Sequence, residues 1–167
     1  MNILAIDPGN VTGVAFYNTG RITRMAPPQV EEIPGGLYGF VEWWVDDQSD
    51  GWPALYGPYD LILVEDFIIK VDTAKKTREP AAYELLGWIK GMTYVEQIKL
   101  DVIGPGQHTE FSGYKKKKTS KLVRLGWSNP SKDMHADSAS SILLTGLKRH
   151  DKPTANQLLK EIATDVN

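Results

Sequence analysis

Residues 3–17 of the chain read ILAIDPGNVTGVAFY, and this stretch decides the fold that the sequence predicts. The short apolar run from Ile3 to Ile6 is typical of a buried strand. Turn-forming proline and glycine follow Asp7, and strand formers resume from Val11 to Tyr17, so we expect a tight hairpin. Asp7 then lies where the first strand ends, either as a functional carboxylate or as the acceptor of an Asx-type turn.

A second apolar run, Tyr59 to Glu65, also ends in a carboxylate. We predict a third strand at Arg21 to Met25, which would complete an antiparallel meander, and a further short strand from Leu100 to Ile103. Strands that alternate with helices indicate an α/β layer architecture, in which ligands gather at strand ends. Asp7 and Glu65 are therefore the first candidate functional residues.

Helical periodicity and capping signals predict five helices. They are Gly36 to Val45, Pro80 through Met92, a short helix from about Ser120, a helix capped by Asn129 that starts at Pro130 and ends near Gly146 and the basic residues after it, and Thr154 to Ala163. Trp43, Trp44 and Trp52 are interpreted as packing residues rather than as a base-stacking platform.

Composition limits the function classes. A chain of 167 residues predicts a single domain, residues 1–167, with room for a substantial core. The sequence contains no cysteine, so a metal would be held by oxygen or histidine. No stretch approaches the roughly 20 apolar residues that span a bilayer, and we expect a soluble, cytoplasmic protein.

Charge is distributed unevenly along the chain, although the net charge is only −2. Met25 to Ile69 holds nine acidic residues and no Lys or Arg, whereas Lys70 to Arg124 holds twelve basic residues against six acidic ones. The run of four lysines at 115–118 is either a solvated surface or a phosphate-binding track.

Asp133 and Asp137 lie four residues apart and so share one face of a predicted helix. Two like charges on one face destabilise a helix unless a cation compensates, and Mg²⁺ or Mn²⁺ prefers carboxylate oxygen. The alternative is two solvated surface aspartates. Small residues at 136 and 138–140 would let this helix lie close to the sheet.

Three segments together resemble the acidic motifs of RuvC-type Holliday junction resolvases, within the RNase H-like superfamily: AIDPGNVTGVAFY, LILVEDF and HADSASSILL. The resemblance implies an α/β fold with an RNase H-like mixed sheet, three antiparallel strands followed by parallel strands, flanked by helices. It also implies that Asp7, Glu65 and Asp137 bind two Mg²⁺ ions, which Mn²⁺ could replace. The Trp-rich acidic insertion suggests a phage-encoded branch acting in the host cytoplasm.

The fourth metal ligand does not match the family pattern. The family places an acid or a histidine three residues before its last Asp, and that position here is Met134. Asp133 is assigned instead, because it shares a helical face with Asp137. His135 is expected to point elsewhere on an ideal helix.

The resemblance also implies DNA contacts. An aromatic residue after the family's Glu wedges into the junction, and basic residues before the last motif contact DNA. These roles would fall, without residue-by-residue matching, on Phe67, Ile68, Lys115, Lys116, Lys117, Lys118 and Lys121.

The implied activity is metal-dependent resolution of four-way DNA junctions. Two metals would activate a water and stabilise the leaving oxygen, giving 5′-phosphate and 3′-hydroxyl ends. Symmetric cleavage implies a homodimer, for which the apolar helix face of Leu85 to Met92 is a candidate interface. The alternatives are a broader fork or flap nuclease, a non-catalytic junction-binding relative, and an actin-like phosphate-binding enzyme, which would need a second domain.

Overall fold

The computed structural model describes residues 1–21, 27–50, 58–66, 80–112, 121–128 and 134–164. The strands are β1 (Asn2–Asp7), β2 (Val11–Asn18), β3 (Gln29–Pro34), β4 (Leu61–Glu65) and β5 (Lys99–Ile103). The α-helices are α1 (Gly36–Asp50), α2 (Ala81–Val95), α3 (Thr109–Ser112), α4 (Lys121–Arg124), α5 (Met134–His150) and α6 (Lys152–Thr164).

The strands form one mixed sheet in the order β3-β2-β1-β4-β5. β1 and β3 each pair antiparallel with β2, whereas β4 pairs parallel with both β1 and β5. Three antiparallel strands followed by parallel strands, with helices on both faces, confirm the predicted RNase H-like fold class.

The predicted position of the third strand is wrong. We expected it at Arg21 to Met25, of which residues 22–25 lie outside the described residues, whereas the strand that pairs with β2 is Gln29–Pro34. This strand lies at the edge of the sheet, and Ile33 is its one buried residue. An exposed edge strand lacks the apolar run by which buried strands are found in a sequence.

Alternating side chains of the strands build a core on each face of the sheet. Ile3 and Ala5 of β1 pack on the face covered by α5 and α6, whereas Leu4 and Ile6 pack on the face covered by α1 and α2. Trp44 is buried in the second core and Trp43 packs against it, as predicted, whereas Trp52 lies outside the described residues.

The apolar face of α2 is not available as a dimer interface. Leu85 and Ile89 are fully buried and Leu86 is 4% exposed, all within the core between α2, α1 and the sheet. The expectation that this face joins two subunits is therefore wrong. The apolar periodicity correctly predicts the buried face of α2, but this face packs in the core of the same chain.

α5 continues past Gly146 to His150, so its last turn carries the basic residues that were predicted to end this helix. A Cβ atom at this position would collide with the side chain of Leu63 on β4, so the glycine lets α5 approach the sheet. The predicted cap at Asn129 and Pro130 lies outside the described residues. In the part of the chain that the structure describes, no helix is long and apolar enough to cross a membrane.

Candidate active site

Asp7 and Glu65 lie on one face of the sheet, at the edge formed by the carboxyl ends of the neighbouring inner strands β1 and β4. Side chains alternate along a strand, so Asp7 shares a face with Ala5, and Glu65 shares that face with Leu63. The parallel register pairs Ile6 with Val64, which makes Asp7 and Glu65 the next neighbours along β1 and β4. Two carboxylates that are 58 residues apart in sequence are thus brought together by strand pairing, as the sequence indicated.

Gly13 brings the N-terminal end of α5 to this edge. It pairs with Asp7 across β1 and β2, and a Cβ atom on Gly13 would overlap the backbone carbonyl of His135. Glu32, its partner on β3, accepts hydrogen bonds from the backbone N–H groups of His135 at 2.9 Å and Ala136 at 3.3 Å. A carboxylate at this position satisfies free N–H groups of the first helical turn and interacts favourably with the helix dipole.

His135 contacts Asp7, contrary to the expectation that it points away. Its Nδ1 atom lies 3.0 Å from Oδ2 of Asp7, within hydrogen-bond distance. His135 does not share the helical face of Asp137, but Asp7 lies near the start of α5, where a side chain of the first turn reaches it. The signal for this contact in the sequence is Gly13. It lies opposite Asp7 in the hairpin, and its lack of a side chain lets the start of α5 lie directly on the strands.

The pKa values of Asp7 and His135 are both raised, although some of their surroundings act in the opposite direction. Burial raises the pKa of Asp7, more than the hydrogen bond from His135 lowers it, and the negative charge of Glu65 adds to the rise. The hydrogen bond to Asp7 raises the pKa of His135 despite its partial burial, and the charge of Glu32 acts in the same direction. A buried carboxylate with a second carboxylate nearby is an environment that a cation would stabilise.

His108 contacts Glu65 and was missed by the sequence analysis. Its Nε2 atom lies 2.8 Å from Oε1 of Glu65, and the imidazole is buried. His108 follows β5, which runs parallel to β4, so the segment after β5 emerges at the same edge as Glu65. The signal that could have identified His108 is a polar residue just after a parallel strand, next to the strand that carries Glu65.

Asp137 is oriented by a residue that sequence reasoning did not single out. Oδ2 of Asp137 accepts a hydrogen bond of 2.6 Å from the hydroxyl of Ser128. Of the residues that the structure describes, no group of three or more His, Asp and Glu side chains is arranged to hold a metal ion. The assignment of Asp7, Glu65 and Asp137 as metal ligands therefore stays a prediction.

The donor chemistry at the sheet edge nevertheless fits a divalent cation. Asp7 and Glu65 provide hard oxygen ligands on adjacent strands, and each is hydrogen-bonded by a histidine that stabilises its orientation. Asp133, the proposed fourth ligand, lies outside the described residues, so its assignment stays a prediction.

The structure describes one of the predicted DNA-contacting residues, Lys121. Its ammonium lies 2.8 Å from Oε1 of Glu110 and 5.0 Å from the centre of the Phe111 ring. Lys148 contacts the same carboxylate and the same ring. Lys121 thus attaches α4 to α3, and Lys148 attaches α5 to the same helix. The others, Phe67, Ile68 and Lys115 to Lys118, lie outside the described residues.

Comparisons with known proteins place this geometry in a fold family. No family model and no curated protein matches the chain. A solved structure of Thermus thermophilus RuvC in complex with Holliday junction substrate aligns with a TM-score of 0.64 at 15% identity, over 92% of this chain and 97% of that one. The chain has the RuvC fold.

A second Thermus thermophilus RuvC structure aligns with a TM-score of 0.61 at 16% identity, over 89% of this chain and 96% of that one. The alignment covers nearly the full length of each RuvC chain, so the strand order that brings Asp7 and Glu65 together is part of the shared architecture. At this level of identity the likeness concerns the fold alone.

Proposed function

We propose that the protein is a metal-dependent endonuclease that resolves four-way DNA junctions, acting as a homodimer on two opposed strands. The observation that carries this proposal is the pairing of Asp7 and Glu65 on adjacent strands of a RuvC fold, each held by a histidine. Hydrolysis would leave 5′-phosphate and 3′-hydroxyl ends.

Each residue has a defined task in this proposal. Asp7 and Glu65 are the carboxylates that hold Mg²⁺, with Mn²⁺ as a substitute, and Asp137 and Asp133 complete the ligand set. When bound, such ions lower the pKa of a water and neutralise charge on the phosphodiester. His135 orients Asp7 through its Nδ1 atom.

The balance of charge supports a separate surface for DNA. The carboxylates of Asp7 and Glu65 would repel a phosphate unless cations neutralise them, just as the charge of Glu65 raises the pKa of Asp7. Lys115 to Lys118 are proposed to attract the DNA backbone, and Phe67 and Ile68 to contact the branch point.

The experiment is incubation of the full chain with end-labelled four-way, forked and linear DNA, with Mg²⁺, Mn²⁺ or a chelator. We expect cleavage of the four-way junction at symmetric positions, dependent on the metal and absent in Asp7→Asn. Equal cleavage of forks would favour the broader branched-DNA nuclease. Binding without cleavage in either metal would favour the non-catalytic relative.

A further inference from the structure

His108 is a buried histidine that the predicted ligand set does not include. It is 6% exposed, and within the described part of the chain its imidazole is hydrogen-bonded to Oε1 of Glu65 at 2.8 Å. Glu65 itself has a side chain that is 22% exposed, so water competes only partly for this contact. The pair links β4 to the segment that follows β5.

The segment that presents His108 is fixed by its own hydrogen bonds. Gln107 accepts the backbone N–H of Gly104 at 2.9 Å and a guanidinium N–H of Arg149 at 2.6 Å on the same side-chain oxygen. Gly106 adopts a φ of 84°, a conformation that favours glycine. The imidazole therefore reaches Glu65 from a turn that is tied both to itself and to α5.

The second ring nitrogen determines which way the hydrogen bond runs. Nδ1 of His108 is buried and has no hydrogen-bond partner in the described part of the chain. A proton on that atom would be a buried, unsatisfied donor, which is costly. The favoured neutral tautomer carries its proton on Nε2, and Nε2 then donates to the Glu65 carboxylate.

We propose that His108 is a positioning residue, which donates a hydrogen bond from Nε2 to Oε1 of Glu65 and leaves the other carboxylate oxygen to a divalent cation. This inference rests on the proposed function, since it assigns a role towards the metal that Glu65 would bind. Hydrogen bonds to a ligating carboxylate fix its orientation, and their loss typically weakens metal binding roughly 10- to 100-fold.

The chain offers a matched control at the C-terminal end of α5. Nε2 of His150 lies 2.8 Å from Oδ2 of Asp101, the same type and length of contact. Asp101 is on β5 and is also bound by Arg149, so this pair joins the helix C-terminus to the sheet. A histidine–carboxylate contact that merely stabilises the fold should behave like this one.

The test is Mn²⁺ binding by calorimetry to the full chain without DNA, for wild type, His108→Leu, His108→Gln and His150→Leu. We expect His108→Leu to weaken Mn²⁺ binding roughly 10- to 100-fold. His108→Gln, which keeps an N–H donor, should bind within a few-fold of wild type, and His150→Leu should bind as wild type does. Thermal unfolding of each variant separates metal affinity from stability.

The outcomes distinguish this inference from the proposed function. The positioning role is overturned if His108→Leu binds Mn²⁺ as wild type does, or if His108→Gln binds it as weakly as His108→Leu. Either result leaves the proposed function standing as long as wild type cleaves in a metal-dependent way. Failure of wild type to bind Mn²⁺ and to cleave overturns the proposed function itself.

A spectroscopic measurement covers the case in which His108→Leu does not fold. In ¹⁵N-labelled wild-type protein with Mg²⁺, Nε2 of His108 should keep its proton, visible as a one-bond nitrogen–hydrogen coupling. Loss of that proton on Mg²⁺ addition would make the imidazole a direct metal ligand and overturn the proposal.

Discussion

At the scale of single residues, two carboxylates at one sheet edge are each held by a different histidine. His135 reaches Asp7 from the start of α5, and His108 reaches Glu65 from the segment after β5. Hydrogen bonds of this kind restrain the carboxylates before any ligand binds. The site is thus organised by residues that lie far from its acids in sequence.

The three predicted metal ligands should each be essential for cleavage. Asp7→Asn, Glu65→Gln and Asp137→Asn remove a ligand charge without changing the basic surface, so we expect cleavage to be lost and junction binding to be retained. Gel-shift binding in Ca²⁺ and cleavage in Mg²⁺ measure the two properties separately. For Asp137, Ser128→Ala is the control, because it removes the hydrogen bond and keeps the charge. Wild-type turnover in any of the three acid variants would exclude that residue as a ligand.

The roles of His135 and Asp133 can be separated by mutation. Because His135 hydrogen-bonds Asp7, we expect His135→Ala to reduce cleavage. Asp133→Asn should also reduce cleavage if Asp133 completes the ligand set. The measurement is single-turnover cleavage at saturating protein with a Mg²⁺ titration. Normal activity in Asp133→Asn together with a large loss in His135→Ala would identify His135, and not Asp133, as the fourth metal ligand.

At the scale of elements, the placement of α5 depends on a glycine of β2. Gly13→Ala would push a methyl group against the His135 carbonyl, and we expect a destabilisation of about 1–3 kcal/mol from overpacking, with weaker cleavage. Gly87→Ala is the control, since no atom lies near its added Cβ at an exposed position of α2, and it should stabilise by about 0.5–1 kcal/mol. Chemical denaturation of both variants measures the difference. Equal stability of Gly13→Ala and wild type would contradict the close approach.

The C-terminal end of α5 is joined to β5 by the contacts of Arg149 and His150 with Asp101. This network predicts that the folded state loses stability in acid. Burial raises the pKa of Asp101, but the hydrogen bonds from His150 and Arg149 outweigh it and hold that pKa below its usual value of 3.8. A lowered folded-state pKa stabilises the protein above pH about 3.8 and ceases to do so as the pH falls through the folded value.

Asp101→Asn should therefore lower the melting temperature at pH 7 and flatten its decline between about pH 4 and pH 2. The effect should be modest, about 1 kcal/mol or less, because the group is partly exposed. Glu42→Gln is the control, on an exposed acid of α1 that is not part of the network. A pH profile of Asp101→Asn parallel to that of wild type would show that the network does not stabilise the folded state.

At the scale of the whole molecule, acidic and basic residues are segregated along the chain. The run of lysines at 115–118 tests whether the basic part binds DNA. Replacing Lys115 to Lys118 with alanine should weaken junction binding and reduce the slope of log affinity against log salt by roughly 0.9 for each phosphate that is no longer neutralised. Lys90→Ala at an exposed position of α2, on the opposite face of the sheet from α5, is the control. An unchanged slope in the quadruple variant would place the DNA track elsewhere, with Lys70, Lys75, Lys76 and Arg78 as the next candidates.

The sequence by itself determined the elements whose signal is local. Continuous apolar runs located β1, β2 and β4, and helical periodicity located α1, α2 and α5, because burial of a strand or a helix face requires a regular pattern of apolar residues. It also placed Asp7 and Glu65 at strand ends, which the parallel pairing of β1 with β4 then brings together.

Only the tertiary structure decided how distant segments meet at the site. Position 135 contacts Asp7 across 128 residues, and position 108 contacts Glu65 across 43. It also decided that β3 is an exposed edge strand and that the apolar face of α2 is internal. The physical reason is the same in each case: these features depend on which surfaces pack against each other, and a local pattern of residues does not encode its partner.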